Sequence, residues 1–180
     1  MGWQFGATVN GRFVRLLKFI PEAKDGAISR AREAASQSMN FTHAWDRCFE
    51  ERRHVNSTTL QIAIVPGIVC AAFAIELAFK ALIYDAGGTA LKDGKKIHTL
   101  SELFYMLLEA QRAEIVAATK VPRGVFDMSL RQIDKLFIEM RYYYEQPTPI
   151  EVDVEFVKRL TLAVEPLVHV ILGKKVEAQS

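Results

Sequence analysis

A stretch of fourteen residues, 62–75, contains no charged or strongly polar side chain, and Glu76 follows it directly. A helix that spans a membrane needs about 20 apolar residues, so this stretch predicts a helix buried inside a protein rather than a membrane-spanning segment. Pro66 must either kink that helix or begin its main segment, because proline has no backbone N–H to donate. A helix that is apolar on all sides must be covered by other elements. The stretch therefore predicts the core helix of a folded domain.

Four further segments favour helix, because their apolar residues recur at helical spacing or because Ala, Arg, Glu and Gln are frequent in them. Antiparallel packing is the natural way to bury the apolar faces of such helices against one another. The sequence therefore predicts an all-α fold, an antiparallel bundle of four or five helices. The predicted helices cover approximately residues 27–54, 58–84, 99–121, 129–145 and 153–172.

Polar residues, glycines and prolines set the predicted ends of these helices. Residues 85–96 hold three glycines and three lysines and are predicted to form an exposed loop. Residues 146–149 include two prolines and are predicted to end the fourth helix. The predicted caps are Ser57 or Thr58 for the second helix, Thr99 or Ser101 for the third, Ser129 for the fourth and Asp153 for the fifth.

The N-terminal segment is ambiguous. Apolar residues alternate up to Val9, and the dipeptide Asn10-Gly11 suits a tight turn, so a short hairpin is one interpretation. An irregular or helical arm packed on the bundle is the other. The predicted organisation is an N-terminal arm over residues 1–26, a helical bundle over 27–172 and a flexible tail over 173–180.

Composition and charge narrow the class of protein. The formal net charge is +2, which is too small for broad attraction to a polyanion, so any contact with a nucleic acid must be local. Cys48 and Cys70 are isolated in the sequence and predict two reduced thiols, with no disulfide, metal site or cofactor. No basic and apolar leader of the secretory type is visible. A cytoplasmic protein without membrane contact is expected.

Glu76 and Lys80 are the first candidate site residues. They lie four positions apart in a helical segment, so they share a face, and Glu before Lys is the favourable order for an ion pair. Their neighbours are so apolar that at least partial burial is expected. A structural ion pair and a functional role both remain open for these two residues.

Charged and polar residues later in the chain supply the rest of a candidate site. His98 is predicted at the start of the third helix, where it would cap or pack, or act as a proton donor or phosphate contact. Arg141 and Glu145 are four residues apart, and the Arg141 guanidinium could hold Glu76 in a two-point contact or receive a phosphate. The predicted loop supplies Lys92, Lys95 and Lys96, which form either a phosphate-binding patch or a solvated loop.

The order and spacing of these residues resemble a HEPN domain, a helical family of prokaryotic toxin and defence proteins and of RNA-processing factors. The resemblance rests on Glu76-x-x-x-Lys80, His98-Thr-Leu and Arg141-Tyr-x-Tyr-Glu145, and covers roughly residues 65–172. It implies an all-helical bundle, often a dimer, and in many members metal-independent RNA cleavage.

The cleavage motif of such domains is an arginine followed, after four to six residues, by a histidine near the end of the domain. No such motif follows Arg141, since His169 has no arginine at that distance. Arg47 and His54 have the right spacing, but they precede the helix of Glu76. The resemblance therefore does not carry the usual catalytic motif.

Three functions follow as hypotheses. In the first, a HEPN-like homodimer binds RNA or a nucleotide-bearing partner in a toxin–antitoxin or defence setting, with Lys80, His98, Arg141, Lys95 and Lys96 as ligand-binding residues. A cognate antitoxin or a nucleotidyltransferase would be the protein partner. In the second, the chain is an endoribonuclease that uses Arg141 and His98 as catalytic residues. In the third, the polar cluster of Glu76, Lys80, Arg141 and Glu145 merely selects one packing arrangement in a dimerisation or adaptor bundle.

Overall fold

The computed structural model describes residues 6–9, 12–15, 27–50, 52–53, 60–134, 136, 140, 145 and 151–174. Within these residues the chain forms an all-α bundle, as predicted, with three small two-stranded antiparallel sheets attached. The helices are α1 (Ala27–Cys48), α2 (Ile64–Asp85), α3 (Leu100–Met106), α4 (Glu109–Thr119), α5 (Arg123–Gln132) and α6 (Val154–Gly173). The strand pairs are β1 (Gly6–Val9) with β2 (Arg12–Arg15), β3 (Arg52–Arg53) with β4 (Leu60–Gln61), and β5 (Leu91–Lys92) with β6 (Lys95–Lys96).

The three long helices α1, α2 and α6 form the centre of the bundle. The carbonyl of Cys48, at the end of α1, accepts a hydrogen bond from the backbone N–H of Ala63, just before α2, at 3.1 Å. Arg32, near the start of α1, donates to the carbonyl of Leu172, near the end of α6, at 3.3 Å. Helix α1 therefore runs antiparallel to both α2 and α6.

Small side chains let α1 and α2 approach closely. Ala31 and Ala35 of α1 and Ala71 and Ala78 of α2 are all buried in the common core. Ser38 of α1 is also buried, and its hydroxyl donates to a backbone carbonyl of α2 at 2.8 Å. A bulky residue at these positions would force the helices apart, because protein interiors are close-packed.

Helix α1 ends six residues earlier than predicted, at Cys48 rather than about His54. The N–H of Phe49 bonds to the carbonyl of Asp46 at 3.1 Å, which tightens the last turn and ends the helix. The carbonyl of Cys48 instead accepts a hydrogen bond from the backbone N–H of Ala63. His54 lies outside the described residues.

Helix α2 starts at Ile64 with Ala63 as N-cap, so the predicted cap at Ser57 or Thr58 is wrong. Pro66 is the third residue of the helix, where its missing N–H would have had no intrahelical partner. Beyond the helix, Gly87 has φ +79°, a left-handed conformation that glycine adopts without strain. The helix ends at Asp85, close to the predicted end near residue 84.

Helix α2 is also long and apolar enough to cross a membrane, by length and composition alone. More than half of its most apolar window is buried inside the bundle, where it packs against α1, α3 and α6. The core helix of a helical bundle has these same properties.

The predicted loop at 85–96 contains a hairpin. Strands β5 and β6 pair with Leu91 opposite Lys96, and the turn between them has positive φ at both Asp93 and Gly94. This is the backbone of a type I′ turn, which favours Asp-Gly. The exposed character of this segment was predicted, whereas its strand pairing was not.

The predicted third helix is two helices, α3 and α4, separated by Leu107 and Leu108 in extended conformation. Leu107 is buried, whereas the Leu108 side chain is exposed. The side chain of Gln111 accepts a hydrogen bond from the N–H of Leu108 at 3.1 Å and fixes the start of α4. One predicted helix therefore corresponds to two shorter helices in the structure.

The predicted cap at Ser129 is wrong, because Ser129 lies inside α5 and is buried. Helix α5 begins at Arg123 with Pro122 as N-cap. Its Phe126 is fully buried and joins a row of aromatic rings that links α2, α3, α5 and α6. The successive centroid distances are 5.8 Å for Phe79–Phe104, 5.1 Å for Phe104–Phe126 and 5.5 Å for Phe126–Phe156.

Helix α6 begins as predicted. The carboxylate of Asp153 accepts the N–H of Phe156 at 2.9 Å and caps the helix. At the other end of the chain, β1 and β2 form a hairpin with Val9 opposite Arg12. Of the two interpretations of the N-terminal segment, the hairpin is the one that forms. Of the predicted tail over residues 173–180, Gly173 still belongs to α6, and residues 175–180 lie outside the described residues.

Candidate functional site

The candidate site is built around Glu76 in α2. Glu76 is 4% exposed, which is unusual for a carboxylate. One helical turn later, Lys80 donates from Nζ to Glu76 Oε1 at 2.6 Å, and the Lys80 side chain is 12% exposed. The predicted ion pair therefore forms, and it is largely removed from water.

His98 contacts the same carboxylate oxygen from outside the helix. Its Nδ1 lies 2.9 Å from Glu76 Oε1. The backbone on either side of His98 is held in place, since Ile97 is buried and donates to the carbonyl of Ala90 at 3.2 Å, and Leu100 is buried in the core. The imidazole itself is 58% exposed. Glu76 thus joins a buried lysine to a histidine at the surface.

This contact determines how His98 presents its ring. An ionised carboxylate only accepts hydrogen bonds, so Nδ1 must carry the proton that it donates to Glu76. In the neutral ring, Nε2 is then an acceptor, and in the protonated ring both nitrogens donate. When His98 is protonated, the two positive charges of His98 and Lys80 exceed the single negative charge of Glu76. The cluster then carries a net positive charge.

The β5–β6 hairpin supplies three lysines close to His98 in sequence. Lys92 donates to Glu102 of α3 at 2.6 Å. This hydrogen bond raises the pKa of Lys92 and lowers the pKa of Glu102, whose carboxylate is also held by the Thr99 side chain. Lys95 and Lys96 are exposed and form no ion pair within the described part of the chain. These two lysines are the free cations of the hairpin.

A groove of about 660 Å³ opens between the hairpin, α3 and the end of α5. Its apolar wall includes Leu91, Tyr105 and Met106, all exposed. Arg131 lines the groove and makes no side-chain hydrogen bond or ion pair to any residue that the structure describes. The lining also includes charged side chains of both signs, Lys92 and Arg131 with Glu102 and Asp134.

One edge of the groove is fixed by Asp134. Its carboxylate accepts the backbone N–H of Ser101 at 2.6 Å and the Ser101 hydroxyl at 2.7 Å. Asp134 thereby caps α3 from another part of the chain, in place of a cap by the side chain of Thr99. This carboxylate also prevents a negatively charged ligand from binding directly at the start of α3.

The structure brings together Glu76, Lys80 and His98, three of the predicted site residues. Lys95 and Lys96 lie on the hairpin that precedes His98. Arg141, predicted as both catalytic and ligand-binding, lies outside the described residues, and its predicted approach to Glu76 stays a prediction. Glu145 is exposed.

Sequence reasoning missed the groove residues Tyr105, Arg131 and Asp134. Tyr105 lies within the predicted third helix and was not singled out, and nothing in the sequence pairs Asp134 with Ser101, which lies 33 positions earlier. The Asp93-Gly94 dipeptide was the one available signal, because it predicts the hairpin that forms a side of the groove.

No family model, curated protein or solved structure matches this chain. In the described ranges, no group of three or more His, Cys, Asp and Glu side chains could hold a metal ion. The chemistry of the residues around His98 is therefore the guide to what the site binds.

Proposed function

We propose that this chain binds RNA, or a partner that carries nucleotides, at the surface where His98 lies beside the β5–β6 hairpin. The observation that supports this proposal is the contact of a buried carboxylate with an exposed histidine. Burying Glu76 and Lys80 costs several kcal/mol of desolvation, and an apolar pair would fill the same space without that cost. The contact gives the carboxylate a role at the surface, because it fixes the orientation of His98.

Phosphate is the ligand group that this surface suits best. Lys95 and Lys96 present ammonium groups without carboxylate partners in the described residues. His98, held by Glu76, presents Nε2 as a third polar contact when protonated. Cations of this kind supply most of the sequence-independent affinity for nucleic acids. The small net charge of the whole chain agrees with such a local patch.

The neighbouring groove suits a base. Tyr105 offers an exposed aromatic ring, and its hydroxyl is already engaged with Asp127 at 3.1 Å. Stacking of an unpaired base on an aromatic side chain is tolerant of sequence and typical of single-stranded binding. Arg131 on the same groove would meet the adjacent phosphate. The proposal is therefore for single-stranded RNA rather than a duplex.

The first prediction tests the lysines of the hairpin. Lys95→Gln/Lys96→Gln is expected to weaken binding of a labelled single-stranded RNA of mixed sequence at least about tenfold at low salt. The slope of log affinity against log salt is expected to become shallower by about 0.7 for each phosphate that the variant no longer neutralises. Fluorescence anisotropy over a salt series measures both quantities.

The matched control is Lys158→Gln on α6, which is compared with the single variant Lys95→Gln because each removes one positive charge from an exposed site. Lys158 lies near the end of α1 that holds Trp45, away from the hairpin. We expect it to leave both affinity and salt slope close to wild type. If both lysine variants weaken binding equally, or if RNA and mononucleotides leave the amide spectrum of the wild-type protein unchanged at low salt, the proposal fails.

A second candidate function, metal-independent RNA cleavage, is favoured by the Glu76–His98 contact. A carboxylate that holds Nδ1–H leaves Nε2 of the neutral imidazole free to take the proton of a 2′-hydroxyl. The deprotonated oxygen would attack the adjacent phosphorus, and the 5′-oxygen would leave with a proton from water. One product would end in a cyclic 2′,3′-phosphate and the other in a 5′-hydroxyl. Arg141, the predicted partner of His98 in this reaction, is not among the described residues.

The second prediction separates cleavage from binding. If the chain is a nuclease, wild-type protein in excess EDTA produces fragments with cyclic 2′,3′-phosphate ends, and His98→Gln loses at least about a hundredfold of that rate. His98→Gln is expected to fold normally, because the ring is mostly exposed. If the wild-type protein binds RNA but does not cleave it, the binding function stands and the nuclease function is excluded. If the wild-type protein neither binds nor cleaves RNA, the result supports the adaptor bundle.

The HEPN resemblance, the homodimer, the antitoxin or nucleotidyltransferase partner and the toxin–antitoxin or defence setting belong to the same proposal. They rest on the order of Glu76, Lys80, His98, Arg141 and Glu145 in the sequence. Sedimentation of the purified protein tests the dimer separately from RNA binding.

A further inference from the structure

The two cysteines are isolated in the sequence but adjacent in the fold. Cys48 is the last residue of α1, and Cys70 lies near the start of α2. The Cys48 thiol lies close enough to Cys70 to contribute to the raised pKa of the Cys70 thiol. Both are free and half-buried. Neither residue belongs to the site around His98.

The backbone explains why the thiols meet. The N–H of Ala63 bonds to the carbonyl of Cys48, so the end of α1 is tied to the start of α2. At Gly67 the helices come so close that an added Cβ would lie 3.1 Å from the Cβ of Cys48. Cys70 follows Gly67 by three residues and therefore lies on the same face of α2. The approach of Cys48 to Cys70 is thus fixed by hydrogen bonds and by a glycine contact.

We propose that Cys48 and Cys70 form a dithiol modification site, which a small disulfide such as glutathione disulfide converts into an intramolecular disulfide. One cysteine thiolate attacks a sulfur of glutathione disulfide and releases one glutathione. The second thiolate attacks the resulting mixed disulfide and releases the other. Two electrons pass from the cysteine sulfurs to glutathione disulfide, and the two thiol protons end on the two glutathione molecules.

The environment of the site makes the second step fast. The two cysteines lie on facing helices where Gly67 closely approaches Cys48, so the mixed disulfide has a resolving thiol nearby. Burial, with a smaller contribution from the neighbouring Cys48, raises the pKa of the Cys70 thiol. The raised pKa lowers the thiolate fraction of Cys70, which slows its direct reaction with oxidants.

The new bond would tie the end of α1 to α2 and close a loop over residues 49–69. That loop contains the β3–β4 pair, with Arg52 and Arg53 on one strand. A disulfide that closes a loop of this length restricts the unfolded chain and raises stability. The oxidised protein is expected to melt roughly 5–10 °C higher than the reduced one.

The test combines oxidation with mass spectrometry. Wild-type protein is incubated with glutathione disulfide, quenched by alkylation under denaturing conditions, and weighed intact. We expect loss of two hydrogen atoms, no retained glutathione, no alkylation, and a digest in which the peptides of Cys48 and Cys70 are joined. Cys48→Ser and Cys70→Ser each retain one thiol and are expected to keep a glutathione adduct instead.

A second reagent reports geometry without oxidation. Phenylarsine oxide bridges two thiols that are close together, so wild type is expected to bind it in a form that resists a monothiol. Each single variant is expected to release it. Glutathione adducts that persist on both wild-type cysteines, or disulfides that form only between molecules, would overturn the proposal. Ready release of phenylarsine oxide from the folded wild type would do the same.

Discussion

Replacing Glu76 by methionine is expected to lower the free energy of unfolding by about 3 kcal/mol or more. Glu76 is nearly inaccessible to solvent, and it is the partner that Lys80 and His98 share. Without this carboxylate, the ammonium group of Lys80 stays largely buried with no opposite charge among the described residues. Removing one member of a buried pair costs more than the pair itself contributes, because the other charge keeps its desolvation penalty. Urea denaturation followed by circular dichroism measures the loss.

The double variant Glu76→Met/Lys80→Met shows whether the loss comes from the unpaired charge. With both charges gone, the apolar pair fills a similar volume in α2, and we expect at least half of the lost stability to return. A double variant as unstable as Glu76→Met would show that the loss has another cause. It would also show that an apolar pair is no more stable than the buried ion pair, so the cost of burial would no longer point to a role for Glu76 in orienting His98.

The chain supplies a control pair with the same spacing. Arg159 donates from Nε to Glu155 Oε1 at 2.9 Å on α6, four positions apart like Glu76 and Lys80. Both of those side chains are exposed, and exposed pairs contribute about 0–1 kcal/mol. Glu155→Met is therefore expected to change stability by well under 1 kcal/mol. An equal loss at Glu76 and Glu155 would contradict the role assigned to burial.

Substitution of His98 is expected to affect stability and function differently. Because its ring is mostly exposed, His98→Gln is expected to cost little stability, whereas binding at the proposed surface should weaken. Glu76 would affect both properties, since it holds Lys80 in the interior and orients His98 at the surface. This difference in readout distinguishes a functional cluster from a packing device.

The helical bundle could be predicted from the sequence because apolar periodicity is a local signal. The apolar stretch before Glu76 predicted α2 as the core helix, and Asp153 predicted the start of α6. The pairing of Glu76 with Lys80 was predictable for the same reason, since residues four apart on a helix share a face. Local spacing is sufficient for each of these features.

Features that depend on distant residues were not predictable. The end of α1 at Cys48 depends on a hydrogen bond from Ala63, and the start of α3 depends on the carboxylate of Asp134. No proline or glycine marks the break at Leu107. The break depends on the hydrogen bond between Gln111 and the Leu108 N–H and on the burial of Leu107. A single sequence contains no record of such pairings.

The candidate site was predicted in part for the same physical reason. Glu76 and Lys80 follow from helical spacing, but the arrival of His98 at Glu76 depends on how the chain returns after α2. The Asp93-Gly94 turn and the buried Ile97 direct that return. Local patterns left two roles open for His98, a capping or packing residue and a proton donor or phosphate contact. The resemblance in residue order grouped it with this carboxylate.

Replacing Phe126 by alanine is expected to lower the free energy of unfolding by about 3–5 kcal/mol. Phe126 is fully buried at the centre of the aromatic row, between Phe104 of α3 and Phe156 of α6. Truncation removes the apolar surface of the ring and leaves a cavity, which the surrounding helices fill only in part. It also removes two ring contacts, each worth about 0.5–1.5 kcal/mol. Thermal and urea denaturation measure the effect.

The matched control for this prediction lies on the same helix. Met128 is 61% exposed, so Met128→Ala removes a long apolar side chain from α5 without opening a cavity. We expect a change within about 0.5 kcal/mol. Because α5 contributes both Phe126 to the core and Arg131 to the groove, Phe126→Ala should also loosen the groove. Loss of RNA binding in Phe126→Ala, with full binding in Met128→Ala, would link the aromatic row to the proposed surface. A Phe126→Ala variant as stable as wild type would mean that α5 does not pack into the core through this ring.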